Sequence, residues 1–422
     1  MTSLSKPGRV VVIGGGIVGV CSASWLLRRG YSVTILEPNG IGDGSSFGNA
    51  GCFNASSVVP VSMPGNLPKV PGWMMDPLGP LAIRWSYLPT ILPWLGRFIR
   101  AGSRRRVFEQ ARALAPLLRD PVGAYVPLVE NAGARDLVRR DGHLMVYRDR
   151  AAFEADGLAW RLRRENGIPW IELADDALWE HEPAISREHR FAIFLPENGH
   201  TIDPKGFVMA LADAFVRDGG RIVEDAAQGF ELFGNRLVGV RSAGGTVPAD
   251  KAVVAAGAHS RKLALQLGDR LPLDTERGYH VMIRSPEVLP RAPIMHMDGK
   301  FVATPMAQGL RIAGTVEFAG LEAAPNWKRA DKLLSWARRL FPSLASDHAP
   351  ERISRWMGFR PSMPDSLPVI DHAARSRDIV YAFGHGHVGM AAGARTGAAV
   401  ADLIDGRSPE IPTAPFSARR FA

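Results

Sequence analysis

Residues 10–37 constrain what this chain can fold into more than any other stretch. Val10–Ile13 is a short continuous apolar run, the pattern of a strand covered on both faces. Gly14, Gly15 and Gly16 follow, then Ile17, Val18 and Gly19. The pattern predicts a helix over 17–29 and a second strand over 31–36 that ends on Glu37. Strand, glycine-rich turn, helix, strand and terminal acid form one βαβ unit of the dinucleotide-binding kind. Gly14 makes the tight turn, Gly16 lets the backbone approach a pyrophosphate, and Gly19 lets the helix pack closely. The helix N-terminus adds free N–H groups and the positive end of its dipole. Glu37, about 18 residues beyond Gly19, is placed to accept hydrogen bonds from a ribose diol. A carboxylate there disfavours a 2′-phosphate, which favours FAD or NAD over NADP.

Composition narrows the class. The 422 residues suffice for two domains, and 46% hydrophobic with 22% charged content is normal for a soluble globular enzyme. No run of about 18 apolar residues is present, so no transmembrane helix is expected. The segment before the first strand lacks signal-peptide architecture, and Cys21 and Cys52 are the only cysteines. A cytoplasmic location is expected, with peripheral contact at the inner face of a membrane as an added possibility. Cys21 reads as a small core residue. The net charge of +9 is compatible with an anionic surface or with a solvated basic one. Its densest run, Arg104–Arg106, follows the apolar stretch 87–99. Together they fit either a basic amphipathic segment at a membrane or a lid helix with a solvated end.

Beyond Glu37, the low-bulk stretch 42–51 suits a loop wrapped against a cofactor. Residues 60–100 hold Pro60, Pro64, Pro68, Pro71, Pro77 and Pro80 with Trp73 and Trp85, an apolar covering segment rather than disorder. Helix is expected around 104–133 with breaks at Pro116 and Pro121, and again over 151–166. Asp203 and Pro204 open another helix to about Arg217. The strand 251–255 leads into Ala256 and Gly257, small residues at a strand exit, where open α/β sheets bind ligands. Strands are expected over 279–283, 301–305 and 310–315. After a strand over 378–383, residues 384–390 make a second glycine-rich turn into a small-residue helix. That helix N-terminus can face developing negative charge. The nucleotide-binding fold is thus expected from three pieces, 1–59, 200–270 and 361–422, with a second domain from 60–199 and 271–360.

Two polar groups stand out among apolar neighbours. Arg360, in the run 356–361, fits either a carboxylate ligand or an internal salt bridge. Tyr279, near a strand start, is either a second donor to that carboxylate or a half-buried strand tyrosine. His385 and His387 lack further ligands at metal spacing, so no metal is expected. No P-loop occurs, which leaves a phosphoryl-transfer reading without support.

Six motifs in order, VVVIGGGIVGV at 10–20, SSFGNAG at 45–51, VVAAGAHS at 253–260, ERGYH at 276–280, GFRPSMPDSLPVI at 358–370 and GHGHVGM at 384–390, resemble the FAD-dependent D-amino-acid dehydrogenases within the wider D-amino-acid oxidase and glycine oxidase family. The resemblance implies a glutathione-reductase-type FAD-binding Rossmann domain of the α/β class with an antiparallel-sheet α+β substrate domain. It implies that FAD lies along Ile13, Gly14, Gly15, Gly16, Ile17, Val18 and Gly19, with Glu37 on the ribose. Ser45, Ser46, Asn49, Ala50 and Gly51 would follow the flavin side, and Ala256 and Gly257 would pass near it. Gly386, His387, Val388, Gly389 and Met390 would border the pyrimidine edge. Arg360 would anchor the substrate carboxylate with Tyr279 assisting. The implied reaction is oxidative deamination of a D-amino or imino acid, with electrons passed to a quinone or another acceptor. No nucleic-acid partner is expected. Cys52, Asp371 and the two-histidine turn depart from the usual pattern and leave secondary amines, D-proline among them, as alternative substrates. A further alternative is an FAD-binding subunit of a larger amine dehydrogenase complex.

Overall fold

A computed structural model of the chain describes residues 8–64, 78–79, 81–344 and 349–421. Of the Pro- and Trp-rich segment, Pro68, Pro71, Trp73, Pro77 and Pro80 lie outside the described residues.

The apolar run becomes the strand Arg9–Ile13, its last four residues buried. It pairs in parallel with Ser32–Leu36 on one side and Lys251–Val254 on the other. Arg221–Val223 extends the sheet beyond Ser32–Leu36, and Ile379–Phe383 extends it beyond Lys251–Val254. Val369–His372 closes that edge antiparallel, giving six strands. Sequence neighbours therefore lie on opposite sides of Arg9–Ile13, and the crevice at its carboxyl end is where such sheets take ligands.

One face of this sheet is covered by helices Ile17–Arg28, Pro204–Arg217 and Gly389–Ile404. The small residues of Gly389–Ile404 explain how closely it meets Ile17–Arg28. A Cβ on Gly397 would lie 2.7 Å from the Cys21 backbone carbon, and one on Gly393 would overlap the Tyr125 hydroxyl. Cys21 is fully buried in this layer, as its core reading requires, and burial pushes its thiol up to about 12. Helix Pro121–Ala132 also joins this core through Tyr125, whose hydroxyl donates to the Met390 carbonyl at 2.7 Å.

The second sheet has nine strands. Ile353–Ser362, Asp274–Arg284, Gly309–Phe318, Phe301–Met306 and Ile294–His296 run antiparallel in that order. His143–Tyr147, Phe191–Leu195 and Ile171–Ala174 continue it. Among the described residues only two pairings of this sheet are parallel, Ile294–His296 with His143–Tyr147 and Leu81–Ile83 with Gly309–Phe318. Helix Lys328–Leu340 packs on one face, burying Leu333, Ala337 and Leu340 against Val281, Ile283 and Ile312.

Local expectations differ from the structure in two helices. Pro116 lies inside helix Arg104–Leu118, and the break falls at Arg119 and Asp120 instead. Asp120 caps the next helix by accepting from Gly123 N at 2.9 Å, and Pro121 opens that helix as its first residue. The stretch 151–166 divides into Arg150–Ala155 and Gly157–Glu165, since Asp156 leaves the helical conformation before Gly157.

The contact at Gly397 yields a prediction. Gly397→Ala should lower stability by about 1–3 kcal/mol through overpacking against backbone that cannot rotate away. A melting temperature equal to or above the parent's would contradict this packing.

Candidate functional site

Four chain segments meet at the carboxyl end of the parallel strands. The first is the turn after Arg9–Ile13. Gly14 has φ +113°, and a Cβ there would overlap the Ala255 carbonyl oxygen. Gly19 is needed for a related reason: its Cβ would overlap the Gly14 carbonyl, so the turn folds back on its own helix. Gly16 differs, because a Cβ there would meet only Ser46 Oγ at 3.4 Å. Helix Ile17–Arg28 has no side-chain cap, and Ile17 N donates to Ser46 Oγ at 3.1 Å. The first-turn amides, including that of Val18, thus face outward together with the Ser46 hydroxyl. Glu37 accepts from Gly15 N at 2.8 Å and from Asn39 N at 3.0 Å, so both oxygens are oriented before any ligand arrives.

The second segment is residues 45–51. Ser45 donates its hydroxyl to the Phe359 carbonyl, and Asn49 Oδ1 accepts from Gly51 N at 2.8 Å. The carbonyls of this loop point to the large sheet. Arg311 Nη1 donates to the Phe47 and Asn49 oxygens at 3.1 and 2.6 Å. Thr304 Oγ1 donates to the Ala50 oxygen at 2.9 Å, and His280 Nδ1 lies 3.1 Å from the Gly48 oxygen. Desolvation and the charge of Arg311 lower the His280 pKa to about 3, so the ring is neutral and this nitrogen carries the proton. His280 stacks on Trp356 with centroids 5.2 Å apart, and Trp356 fills the space where a Gly48 side chain would stand.

The third segment is Ala255–Gly257. Gly257 has φ +53°, and its Cβ direction is open. The fourth is 384–390. Gly386 also has φ +53° with open space on that side, and its N–H donates to the Pro361 carbonyl at 2.7 Å. Helix Gly389–Ile404 begins here, again with no side-chain cap; Val388 N–H donates to the His385 carbonyl at 2.9 Å, which leaves the first-turn amides of Gly389 and Met390 at the helix N-terminus. His385 is buried against Thr396 Oγ1 at 3.0 Å. His387 is exposed by area, yet desolvation, with Arg360 nearby, lowers its pKa to about 4. The two facts agree for a side chain in a concave wall: many protein atoms surround it, while its own surface stays free.

Arg360 reaches this wall from strand Ile353–Ser362. Its guanidinium lies flat over Gly278, where a side chain would overlap Nη2, and Nη1 donates to the Thr315 carbonyl at 2.8 Å. Across the ladder Arg360 pairs with Glu276, Gly358 with Gly278, and Trp356 with His280. These alternate positions share the face toward residues 45–51. Glu276 is 5% exposed and accepts from Ser362 Oγ, without closing an ion pair on Arg360. Burial lowers the Arg360 pKa and raises that of Glu276, each opposed by the other's charge. Glu276, Ser362, His385 and His387 line one cavity with Ser57 and Val59.

Tyr279 is not brought to Arg360. It pairs with Met357 and lies on the opposite face of the sheet. Its hydroxyl donates to Glu317 and accepts from Asn326 N at 3.0 Å, and its ring packs near Trp327 and Arg329. With the hydroxyl committed there, Tyr279 cannot also hold a ligand beside Arg360. The residues that sequence reasoning missed are His280, Thr304, Arg311 and Glu276. The signal for Arg311 was present, a lone cation within the apolar strand Gly309–Phe318.

Two uncapped helix N-termini, an oriented carboxylate and left-handed glycines opening into one crevice fit a bound FAD. A crevice of this kind at a parallel sheet, facing a second sheet that presents a cation and a carboxylate, defines a two-domain flavin-dependent oxidoreductase. The chain belongs to the DAO family of FAD-dependent oxidoreductases, whose description matches residues 9–403, and its cofactor is FAD. It is 49% identical over 415 residues to a D-amino-acid oxidase of Bradyrhizobium diazoefficiens, covering 98% of both chains. It is 32% identical over 422 residues to a D-amino acid dehydrogenase of Paramagnetospirillum magneticum, covering 98% of this chain and 99% of the relative. Among solved structures, it superposes on L-proline dehydrogenase from P. horikoshii with TM-score 0.74 and 20% identity, over 99% of this chain and 98% of the other. Glycine oxidase from Geobacillus kaustophilus gives TM-score 0.72 and 22% identity, over 98% and 99%. These last two establish the fold.

The turn geometry separates two glycines experimentally. Gly16→Ala should fold like the parent but bind FAD at least about tenfold more weakly, by keeping the backbone from a phosphate. Equal FAD affinity, measured by flavin fluorescence on titration, would move the pyrophosphate away from this turn.

Proposed function

We propose that this protein oxidises D-amino acids to 2-oxo acids and ammonia. The observation that carries this reading is Arg360: a half-buried guanidinium beside the FAD crevice with one bond to a backbone carbonyl and no ion pair among the described residues. Such a group matches a carboxylate bidentately. The similarity to a D-amino-acid oxidase and a D-amino acid dehydrogenase supports a D-amino acid as the bearer of that carboxylate.

In this reading Gly14, Gly16 and Gly19 shape the pyrophosphate cradle, and Glu37 takes the ribose hydroxyls. Ser46 Oγ adds a hydroxyl donor at the helix N-terminus. Residues 45–51 run along the flavin, and the helix N-terminus at Gly389 and Met390 faces its pyrimidine edge. FAD, when bound, supplies a two-electron acceptor for the hydrogen on the substrate Cα. Arg360 holds the carboxylate and so fixes Cα within the crevice. The imino acid leaves and hydrolyses in water. The pieces 1–59, 200–270 and 361–422 serve FAD, and 60–199 with 271–360 serve the substrate, except that helix Pro121–Ala132 packs with the FAD side.

A quinone is the acceptor we favour, and one surface supports peripheral contact with a membrane. Trp85, Leu92 and Ile99 are exposed around helix Leu88–Ala101, with Arg97, Arg100, Arg104 and Arg106 exposed beside them. Residues 81–108 contain no acid. No helix among the described residues is long and apolar enough to cross a membrane. Apolar side chains ringed by arginines suit the headgroup layer of an anionic bilayer.

Two outcomes are expected. Arg360→Ala should retain bound FAD and lose about 100-fold or more in kcat/KM for D-amino acids, the loss of a charge-assisted pair of about 3 kcal/mol. Unchanged turnover would remove Arg360 from substrate binding. Leu92→Glu/Ile99→Glu should abolish co-sedimentation with phosphatidylglycerol vesicles while soluble-acceptor activity persists. Wild-type protein that stays in the supernatant at low salt would refute the membrane contact.

A further inference from the structure

Glu276 is the one buried carboxylate lining the cavity it shares with Ser362 and His387, the latter close enough to Arg360 to feel its charge, and the proposed reaction does not use it. It stands directly opposite Arg360 in the ladder and on the same face. Opposed side chains on one face have Cβ atoms about 5 Å apart, close enough for two groups on one substrate carbon. A plain counter-ion for Arg360 would close an ion pair. Instead each side chain takes another partner: Arg360 the Thr315 carbonyl, Glu276 the Ser362 hydroxyl. Glu276 Oε2 has no described hydrogen bond and is not among the sealed, unpartnered buried atoms, so it faces the cavity.

We propose that Glu276 is a second catalytic residue: its carboxylate receives the ammonium of the amino acid that Arg360 holds and takes one proton from it. The proposal rests on the D-amino-acid reading above. A substrate arrives as a zwitterion, and its nitrogen must be neutral before its lone pair can push out the Cα hydrogen. One N–H bond breaks and one O–H bond forms on Glu276, leaving the electron pair on nitrogen. That pair would become the second bond of C=N as the Cα hydrogen left with its own pair for the two-electron acceptor that bound FAD would supply. The proton on Glu276 returns to solvent after the imino acid leaves.

The groups around Glu276 suit the task. Burial raises its pKa, opposed by the Ser362 hydrogen bond and by Arg360. A carboxylate poised upward is a better proton acceptor than an ordinary one. Asp274, on its own strand, pushes in the same direction and is held by Tyr87 Oη at 3.0 Å. His385 and His387 face it from the turn at 384–389, and desolvation holds them at about 3 and about 4, so they are neutral near pH 7.

The test compares Glu276→Gln with wild-type holoenzyme across pH, using the best substrate among D-alanine, D-methionine, D-phenylalanine and D-proline. Benzoate, a carboxylate with no amine, is titrated against the flavin absorbance. Wild-type kcat/KM should fall on the acid side as Glu276 protonates. Glu276→Gln should lose about 100-fold at neutral pH and lack that limb. Its kcat/KM should climb with the free-amine fraction and approach wild type at alkaline pH, while benzoate binding stays unchanged. A variant within about threefold of wild type with the same profile would overturn the proposal. So would benzoate binding that weakens as much as turnover, since Glu276 would then act only by placing Arg360. Ser362→Ala provides a second arm: losing that hydrogen bond should raise the Glu276 pKa and move the acid limb to higher pH, and an unmoved limb counts against the assignment. If the wild type turns over none of the four substrates, the D-amino-acid reading fails and the proposal falls with it; wild-type turnover with an unaltered variant refutes the proposal alone.

Discussion

Three side chains of the large sheet hold the carbonyl edge of residues 47–50, and the geometry of the site depends on that grip. Arg311, His280 and Thr304 engage four consecutive carbonyl oxygens from strands Gly309–Phe318, Asp274–Arg284 and Phe301–Met306. Hydrogen bonds from a charged donor contribute about 1.5–3 kcal/mol each, against a desolvation cost that only paired groups offset. Burial lowers the Arg311 pKa to about 10, which still leaves it protonated at neutral pH. A loop of the nucleotide-binding sheet is thereby fixed to the sheet that carries Arg360 and Glu276. The spacing between residues 47–50 and the strands bearing Arg360 and Glu276 is set by these bonds rather than by a flexible linker.

The large sheet divides its charges between its faces. Toward the crevice stand Arg360, Glu276, His280 and Arg311. On the other face Arg277, Tyr279 and Glu317 form a buried cluster with Arg329 close by, and Arg277 Nε donates to the Gly320 carbonyl at 2.7 Å. This second cluster ties helix Lys328–Leu340 and the segment before it to the sheet. Glycines at 278 and 358 let Arg360 and Trp356 lie flat on the crevice face, a use of strand glycine for close approach. Alternation along one pair of strands thus separates a structural ion cluster from the groups offered to a ligand.

The nucleotide-binding half was legible because its determinants are local. Gly14, Gly19 and Glu37 act within the same βαβ unit, so their spacing carries the information. The six-stranded sheet draws its strands from separate stretches of the chain, and the strand exits at Gly257 and Gly384 were again read from short segments. Arg360 was visible as a lone cation among apolar residues. Its relation to Glu276 was not, because it is a register between strands more than 70 residues apart in sequence. The same register places Tyr279 on the far face, one position out of phase with Arg360. His280, Arg311 and Thr304 were missed for the same reason, since what they hold is backbone of a distant loop. Pro116 was read as a helix breaker, yet Arg104–Leu118 continues through it, and Asp120 with Pro121 provides the stop.

The central claim is that the crevice between the two sheets oxidises a D-amino acid held by its carboxylate. Anaerobic mixing of the FAD-loaded protein with paired D- and L-amino acids, followed at the flavin absorbance band, tests it most directly. The account predicts bleaching by D-amino acids and none by their L-enantiomers, with recovery when an electron acceptor is admitted. Equal bleaching by both enantiomers, or none by either in a protein that holds FAD, would contradict it.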